Sequence, residues 1–356
     1  QRQMCIRDRN YYVKQSQFHV FGVTTIIIAL ITYCIAPIVA TQPSWFYVMV
    51  VVTVLLFTEL KHTFTELAQR MKNDEMITLA KFLAISGIIL PMLPNENLIP
   101  DINLTPYTVW LATVVVSGIS YLSYLLRRYV FHESGILVSG IIGGLYSSTA
   151  TISVLARKSR KAPAQEAPEY AAAMLLAVSM MFLRFLILIG IFSKAILAEI
   201  YPYLLIMSFV TAGVAWYLHR KRKPIPVTGE EAEEEDSSNP LEFKVALIFA
   251  VLFVIFTIVT HYTLIYTGTG GLNVLSFIAG LSDITPFILN LLQGSGVAVV
   301  VVTACCMQAI VSNIAVNMCY ALFFAGGRSP LRRWVLRGFG GVIAVNVCLL
   351  LFFYLL

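Results

Sequence analysis

ILVSGIIGGLYSSTATISVLA, at residues 136–156, is long enough to enter a membrane but has an unusual centre for a spanning helix. Glycine and hydroxyl side chains collect in its middle, where an ordinary span carries large apolar residues. A second stretch, LNVLSFIAGLSDITPFILNLL at residues 272–292, places Asp283 and Pro286 in mid-run. Proline lacks an amide hydrogen and disfavours helix at the preceding residue, so it opposes a continuous helix in the second stretch. From this proline and from the glycine and hydroxyl cluster of the first stretch, we predict that both stretches are broken or re-entrant. The alternative is ordinary helix packing through small residues.

The composition places these stretches in a membrane protein. Of the 356 residues, 58% are hydrophobic and only 12% are charged, and the mean hydropathy is +0.80. Soluble domains are about one-quarter charged, so a soluble globular enzyme is excluded. The high apolar content also excludes a disordered chain. Because the apolar blocks are long and do not alternate with polar residues, the predicted fold is all-α, a polytopic transmembrane helical bundle, rather than a β-barrel.

Eleven apolar runs approach the length of about 20 residues that a membrane-spanning helix needs. They lie at 20–40, 45–60, 76–93, 107–126, 136–156, 171–192, 201–218, 243–265, 272–292, 297–325 and 337–356. We therefore predict about 9–11 membrane segments, including the two broken stretches.

The chain is predicted to divide at one charged segment. Residues 219–240, HRKRKPIPVTGEEAEEEDSSNP, pass from a basic block through prolines to an acidic block, a composition typical of a flexible linker. We place this linker in the cytoplasm, between an N-terminal transmembrane lobe at 10–218 and a C-terminal lobe at 241–356. Residues 1–9, QRQMCIRDR, show no periodicity and resemble a translated adaptor, so we treat them as a non-native leader.

Basic residues give a second argument for re-entry, because Lys and Arg gather on the cytoplasmic side of a membrane. The basic clusters lie at 61–72, 127–128, 157–161, 219–223 and 328–337. If every segment crossed the membrane, the third and fourth clusters would lie opposite the other three. If both broken stretches return to the side from which they enter, all five clusters become cytoplasmic. The loops at 94–106 and 266–271, which carry no basic residue, then become external.

The order of the segments indicates an inverted repeat. Span 107–126, the first broken stretch and span 171–192 match span 243–265, the second broken stretch and span 297–325, with opposite starting sides. Broken helices that meet near the membrane midplane between inverted repeats are typical of transporters. This inference rests on topology, without a convincing identity of residues between the halves.

Ionisable side chains inside the apolar runs mark a candidate site. Arg184 lies near the centre of its span, and Asp283 is a carboxylate in mid-run. A charge at that depth costs about 2.5–3.5 kcal/mol and usually faces a cavity or a partner. We predict that Arg184 pairs with Asp283 or that both hold a charged substrate; a purely structural ion pair is the equal alternative. The candidate substrate- or ion-binding residues are Ser147, Ser148, Thr149, Thr151, Arg184, Ser282, Asp283, Thr285, Asn313 and Asn317.

The sequence carries no recognisable catalytic constellation. It has no zinc-spaced histidine pair, nucleophile elbow or phosphate-binding loop, so we expect a protein that is not an enzyme and has no cofactor. Asp283 is a candidate oxygen ligand for a bound cation. One carboxylate is a thin site for Mg²⁺, so a monovalent cation or a proton is an equal alternative. No segment offers a basic folded face for nucleic acid.

The segment GIIGGLYSSTATISVLARKSRK at 140–161 resembles the GGLxSSTAT…LAR motif of MgtC/SapB-type bacterial membrane proteins, in their C-terminal domain of unknown function (DUF4010). The resemblance covers nearly all of residues 16–356, through DEMITLAKFLAISGIILPMLPN at 74–95, NPLEF at 239–243 and GLSD at 280–283. It implies an upstream domain in full-length relatives, hence an N-terminally truncated chain, and a link to magnesium homeostasis.

This chain departs from the family pattern at two places. The family often has a second acidic residue where Thr285 or Pro286 stands here, and a lysine near the position of Asn317.

Two functions of different classes fit the sequence. The first is a transporter or channel-like protein for an ion or a small charged solute, in the bacterial cytoplasmic (inner) membrane. The alternative is a regulatory membrane protein that transports nothing and binds another membrane complex. A transporter predicts a hydrated cavity between the two broken stretches, whereas a regulator predicts dry packing there. The expected partners are the lipid bilayer and a second copy of the chain or another membrane protein.

Overall fold

A computed structural model describes residues 73–97, 102, 104–126, 135–221, 243–294, 297–326 and 329–355, with scattered positions between 30 and 55. The predicted leader at 1–9, nearly all of the linker at 219–240 and most of the apolar runs at 20–40 and 45–60 lie outside the described residues. The chain divides into two compact units, Gln1–Ile77 and Thr78–Leu356. The second unit contains the spanning helices that the structure describes and both broken stretches.

The described elements are helices, which confirms the predicted all-α fold. Their bounds are α1 Asn73–Ala84, α2 Pro106–Leu125, α3 Ile136–Ser159, α4 Ala167–Phe192, α5 Lys194–His219, α6 Phe243–Gly280, α7 Ile284–Gly294, α8 Val299–Ala325 and α9 Leu331–Leu355. A π-helical turn, Ile85–Ile89, and a short helix, Leu90–Met92, extend α1.

Seven of the described helices are long and apolar enough to cross a membrane: α2 to α6, α8 and α9. The extended α1 and α7 are shorter apolar helices. The protein is therefore a polytopic helical membrane protein. Within it, α4 and α8 carry the longest buried runs of side chains. Helices α3, α5, α7 and α9 each pack against both of them, whereas α2 packs against α3 and α6.

Helix α3 is a helical hairpin rather than a span. Ser147 leaves the helical conformation (φ −157°, ψ 109°) and separates two arms, 136–146 and 148–159. Along the first arm, Gly140 lies against the backbone of Ala173, and Gly144 lies against that of Ala177. Because the residue numbers of the hairpin glycines and of their α4 partners increase together, the first arm runs parallel to α4. The second arm must then turn back, since α4 itself begins only a few residues after α3 ends.

The sharpness of that turn is visible between the two arms. A Cβ atom on Gly143 would lie 2.5 Å from Oγ1 of Thr151, four residues beyond the break. In a continuous helix, residues eight apart are separated by about 12 Å. We call α3 hairpin 1, with its apex at Ser147.

The second broken stretch forms hairpin 2, whose arms are residues 269–280 of α6 and the whole of α7. The first arm runs parallel to α8, because Ser276 bonds to Gln308 while Gly280 lies against Ser312. Its apex is the turn at 281–283. The predicted breaks in both stretches are thus confirmed.

Proline is not the point at which hairpin 2 breaks, contrary to the sequence argument. Pro286 lies in the first turn of α7, where backbone amides have no partner within the helix, so its missing hydrogen costs nothing. The loop predicted at 266–271 is reduced to a single residue, since only Gly268 leaves the helical conformation there. Its conformation (φ 65°, ψ −155°) is accessible essentially to glycine alone. This residue separates the long first part of α6 from hairpin 2.

The two hairpins enter from opposite ends of the bundle. Helices α4 and α5 are antiparallel, because Ser179 bonds to Ser208 and Phe182 contacts Tyr203. The end of hairpin 1 meets the end of α8, where the Arg157 guanidinium lies 4.4 Å from the ring centroid of Phe324. Since α8 runs toward this end, hairpin 2, whose first arm is parallel to α8, enters from the other one.

Most lysines and arginines of the described part lie at one end of the bundle, whereas Lys194, at the start of α5, lies at the other. The last turn of α5 meets α9 at the first of these ends, because a Cβ on Gly338 would lie 3.1 Å from Leu218. The end of hairpin 1 lies there too, because a Cβ on Gly326, just before α9, would lie 3.7 Å from Nε of Arg160. We call this the basic end, defined by Arg157, Arg160, Arg220, Lys221 and Arg337. The arrangement agrees with the charge argument for two re-entrant stretches.

The packing follows the same inverted symmetry. Hairpin 1 packs against α8, and α7 of hairpin 2 packs against α4. Likewise α5 packs against α8, and α9 packs against α4, while α2 meets α6 and α5 meets α9. If α2–α5 are exchanged with α6–α9, each of these contacts becomes either another contact of the same set or itself. This is the pattern that an inverted repeat produces.

The hairpins also share sequence, once their apices are aligned. Residues 135–157 pair without a gap with residues 271–293, and eight of these 23 positions are identical. The identical pairs are Gly135/Gly271, Val138/Val274, Ile142/Ile278, Gly144/Gly280, Leu145/Leu281, Thr149/Thr285, Ile152/Ile288 and Leu155/Leu291. In this alignment Ser147 corresponds to Asp283. The two halves are therefore related by residues as well as by topology, which the sequence analysis did not detect.

Candidate functional site

The apex of hairpin 1 exposes backbone groups that other residues satisfy. Nη1 of Arg184, on α4, donates a hydrogen bond to the carbonyl of Tyr146 at 2.7 Å. On the other side of the break, the amide of Ala150 donates to Oγ of Ser147 at 3.3 Å, so Ser147 caps the second arm. A cation beside the last carbonyls of one arm and a hydroxyl at the start of the next suit the helix dipoles at a break.

The apex of hairpin 2 is built in the same way with different side chains. Nδ2 of Asn313, on α8, donates to the carbonyls of Gly280 at 3.3 Å and Ser282 at 3.4 Å. The amide of Thr285 donates to Oδ1 of Asp283 at 3.0 Å, so Asp283 caps α7. The equivalent positions Ser147 and Asp283 thus have the same local role, and Asp283 adds a negative charge.

Arg184 and Asp283 are each bonded to the main chain, rather than to each other as one form of the sequence hypothesis expected. They still interact electrostatically. Arg184 is half-buried, whereas Asp283 is exposed on the protein surface. Because α7 packs against α4, the two apices bring one fixed positive and one fixed negative charge into the same region.

Two polar atoms at the apices are buried without a hydrogen-bond partner. One is Nε of Arg184, and the other is Oδ1 of Asn317, whose residue is 0% exposed. The orientation of Asn317 is fixed, because its Nδ2 donates to Oδ1 of Asn313 at 3.1 Å. A buried polar atom without a partner costs about 1–3 kcal/mol, so each of these atoms calls for an explanation.

The other predicted residues lie in the two apices. Ser148 is buried and donates to the sulfur of Met181 at 3.5 Å, and Thr149 is half-buried beside it. Thr151 packs against Gly143, across the bend. In the second apex, Ser282 is exposed and donates to the carbonyl of Ala279 at 3.1 Å, while Thr285 is 4% exposed. The ten candidate residues therefore form two clusters, one at each apex.

A third polar cluster, which the sequence patterns did not reveal, lies between hairpin 2, α8 and α9. Oγ of Ser276 donates to Oε1 of Gln308 at 2.6 Å, and Nε2 of Gln308 donates to the hydroxyl of Tyr354 at 2.6 Å. Asn273 accepts from Cys305 at 3.4 Å and from Tyr354 at 3.5 Å. Gln308 in the middle of an apolar run was the available signal.

The first arm of hairpin 1 approaches α4 through glycines, and the polar contacts between hairpin 1 and α4 described above lie near the apex. At Gly140 and Gly144, an added Cβ would overlap the backbone of α4, which is how small residues let membrane helices approach closely. The equivalent surface of hairpin 2 is polar, since Ser276 stands where hairpin 1 has Gly140.

Spanning helices arranged around two broken hairpins define a polytopic helical membrane protein with an inverted repeat. The chain belongs to the DUF4010 family, described as a domain of unknown function, whose family model matches residues 114–325. It is similar to an uncharacterized protein of Aquifex aeolicus (strain VF5), with 27% identity over 201 residues that cover 53% of this chain and 82% of the relative. No solved structure matches the chain.

Proposed function

We propose that this protein is a secondary transporter, or a channel-like carrier, for an ion or a small charged solute, and that it is not an enzyme. The observation that supports the proposal is the pair of inverted hairpins, whose apices carry Arg184 and Asp283. Non-helical backbone at membrane depth is tolerated only inside protein or beside a water-filled cavity. An exposed carboxylate at that depth is costly in contact with lipid, which favours the cavity.

Inverted repeats also supply a mechanism for alternating access. Two halves of the same fold and opposite orientation can exchange conformations, which moves a closed gate from one side of a central site to the other. In this proposal α4 and α8 hold the site, and the two hairpins are the gates. The basic end faces the cytoplasm of a bacterial cell, because Lys and Arg concentrate there.

The link to magnesium homeostasis remains a proposal that rests on the resemblance to MgtC/SapB-type proteins. Mg²⁺ is commonly held by one or two carboxylates and several waters, and Asp283 supplies one carboxylate at the apices. Arg184 beside it opposes a divalent cation electrostatically. We therefore favour a solute of lower charge.

Water access to the apices tests the proposal and separates it from the regulatory alternative. Single cysteines replace Ser282 or Ala150, both exposed at an apex, in a background whose six native cysteines are removed. We expect a hydrophilic thiol reagent to label both positions in membranes.

Two control variants give this labelling a reference. Ile278→Cys places a thiol on the same hairpin arm at a position that is 56% exposed but apolar, and Leu289→Cys places one where the side chain is 0% exposed. Both should remain unlabelled, the first because it faces lipid. If Ser282→Cys and Ala150→Cys are as unreactive as these controls, the apices are dry, and the transporter proposal is wrong. A regulator that binds another membrane complex, or a second copy of the chain, would then be favoured.

A further inference from the structure

We infer that the two apices together bind a small zwitterion, a molecule with one carboxylate and one ammonium group, such as an α-amino acid. This inference rests on the proposed function, because it names the class of solute that the site would carry. It follows from the charge balance of the site and from the donors and acceptors that each apex leaves free.

The charge balance favours a ligand without net charge. Arg184 and Asp283 contribute one positive and one negative charge, so the site is neutral as a whole. A simple cation would be attracted by Asp283 but repelled by Arg184. A simple anion would be attracted by Arg184 but repelled by Asp283. Net charge at membrane depth costs about 2.5–3.5 kcal/mol. A zwitterion satisfies both side chains and keeps the site neutral.

The first apex offers donors to a carboxylate. The guanidinium of Arg184 has five N–H donors, of which Nη1 is used by Tyr146, while Nε is buried without a partner. Arginine binds carboxylates through two nitrogens at once. The second arm of hairpin 1 begins at Ser148, so its positive helix end and free amides face the same region.

The second apex offers acceptors to an ammonium group. Asp283 is exposed and receives one hydrogen bond, from Thr285, at Oδ1. Oδ1 of Asn317 is buried, has no partner and cannot rotate away without losing the bond to Asn313. An ammonium group has three donors and no acceptor, so it matches this set. Asn317 thereby gains the partner that it lacks within the protein.

Sequence equivalence supports a joint role for the two helices that hold the site. When α4 is aligned with the part of α8 that lies 133 residues later, Met174, Val178 and Ser179 fall on identical residues, Met307, Val311 and Ser312. The same alignment places Arg184 on Asn317. The two side chains with orphaned atoms are thus counterparts, a donor in one repeat and an acceptor in the other.

Ligand-induced thermal stabilisation of the purified protein in lipid nanodiscs tests the inference. The probes are an equimolar mixture of the 20 standard amino acids, then the active members singly, with propionate, ethylamine, NaCl and MgCl₂ for comparison. Propionate lacks the ammonium group of alanine, and ethylamine lacks its carboxylate. We expect at least one amino acid to raise Tm in a saturable way. Analogues that lack one of the two charged groups should bind at least about 100-fold more weakly, because they leave a buried partner unpaired.

The variant Asp283→Asn should abolish the amino-acid effect while leaving the Tm of the free protein nearly unchanged, since asparagine caps helices as well as aspartate does. Glu199→Gln, the same chemical change at an exposed position on α5, is the matched control and should respond like the wild type. The inference would be overturned if propionate, ethylamine or a salt stabilised the protein as much as the most active amino acid does. It would also be overturned if no amino acid raised Tm.

These outcomes remain distinguishable from failure of the proposed function. If Ser282→Cys is labelled and no zwitterion binds, the site is hydrated and takes another solute. If the apices are dry, both proposals are wrong.

Discussion

At the scale of single residues, Arg184 combines two roles that a hydropathy plot cannot separate. One of its nitrogens binds the broken end of hairpin 1 at Tyr146, while Nε remains buried without a partner. Replacing Arg184 therefore disturbs the fold and the site together. Asp283 is a cleaner target, because its bond to the Thr285 amide survives exchange for asparagine.

Gly144 tests the close approach of hairpin 1 to α4. A Cβ there would lie 2.5 Å from Cα of Ala177 and 2.6 Å from its carbonyl oxygen, so backbone must move. We expect Gly144→Ala to lower the free energy of unfolding by about 1–3 kcal/mol. Gly213→Ala, on α5 where nothing lies within 4 Å, should instead be neutral or stabilising by up to about 1 kcal/mol. Thermal unfolding of both variants checks the contrast, and equal stability of the two would contradict the packing.

Tyr203 and Asn346 test a buried link between α5 and α9. The hydroxyl of Tyr203 donates to Oδ1 of Asn346, and the Nδ2 of that amide binds the carbonyl of Val342. We expect Tyr203→Phe to cost about 0.6–1.7 kcal/mol, the range for hydrogen bonds between membrane helices. A double-mutant cycle with Asn346→Leu should show that the two losses are not additive. Additive losses would mean that the pair is not coupled.

Hydropathy was enough to identify some of these residues and not others. Arg184 and Asp283 are charges in apolar runs, so the sequence marks them as candidate site residues. The bond between Tyr203 and Asn346 joins residues 143 positions apart, and no local pattern specifies it. The unpartnered oxygen of Asn317 likewise depends on how Asn313 is oriented by the apex of hairpin 2.

At the scale of elements, composition located the breaks but not their limits. Glycine and hydroxyl clusters marked both hairpins, because such residues weaken helix and permit close packing. Pro286 misled the prediction, since a proline in the first turn of a helix is compatible with it. The glycines at 268–271 were taken as a loop, whereas helix continues on both sides of Gly268. Propensity alone could not decide this, because tertiary packing supports the helix there.

Gly268 is the element-scale prediction, because it separates the long first part of α6 from hairpin 2. Its φ of 65° with ψ of −155° is strained for any residue with a Cβ, at a cost of about 1–3 kcal/mol. Gly268→Ala should therefore lower Tm. Gly270→Ala should be neutral or stabilising, since Gly270 is helical and nothing lies within 4 Å of its Cβ position. A Gly268→Ala protein as stable as Gly270→Ala would show that α6 does not need this conformation.

At the scale of the whole molecule, the inverted repeat explains why topology was predictable while homology between the halves was not. Charge placement along the chain required two re-entrant stretches, and the structure has a hairpin at each. The eight identities between the hairpins appear only in one register, which the apices Ser147 and Asp283 define. Outside the hairpins, the membrane imposes an apolar character on any span, so the few residues that α4 and α8 share are recognised only after the structure gives the register.

The orientation of the whole protein provides the last prediction. Arg160 follows hairpin 1, Arg332 begins α9, and both are exposed. Between these two residues the chain crosses the membrane with α4, α5, the first part of α6 and α8, while hairpin 2 returns to the side from which it enters. This even number of crossings leaves Arg160 and Arg332 on the same side of the membrane. A hairpin 2 that crossed fully would place them on opposite sides. We expect Arg160→Cys and Arg332→Cys, each in the cysteine-free background, to react in intact cells only with a membrane-permeant maleimide. Ala195→Cys, exposed at the far end of the antiparallel pair α4–α5, should react with an impermeant one. Labelling of Arg160→Cys and Arg332→Cys from opposite sides would refute the re-entry of hairpin 2 and, with it, the inverted repeat on which the transport proposal stands.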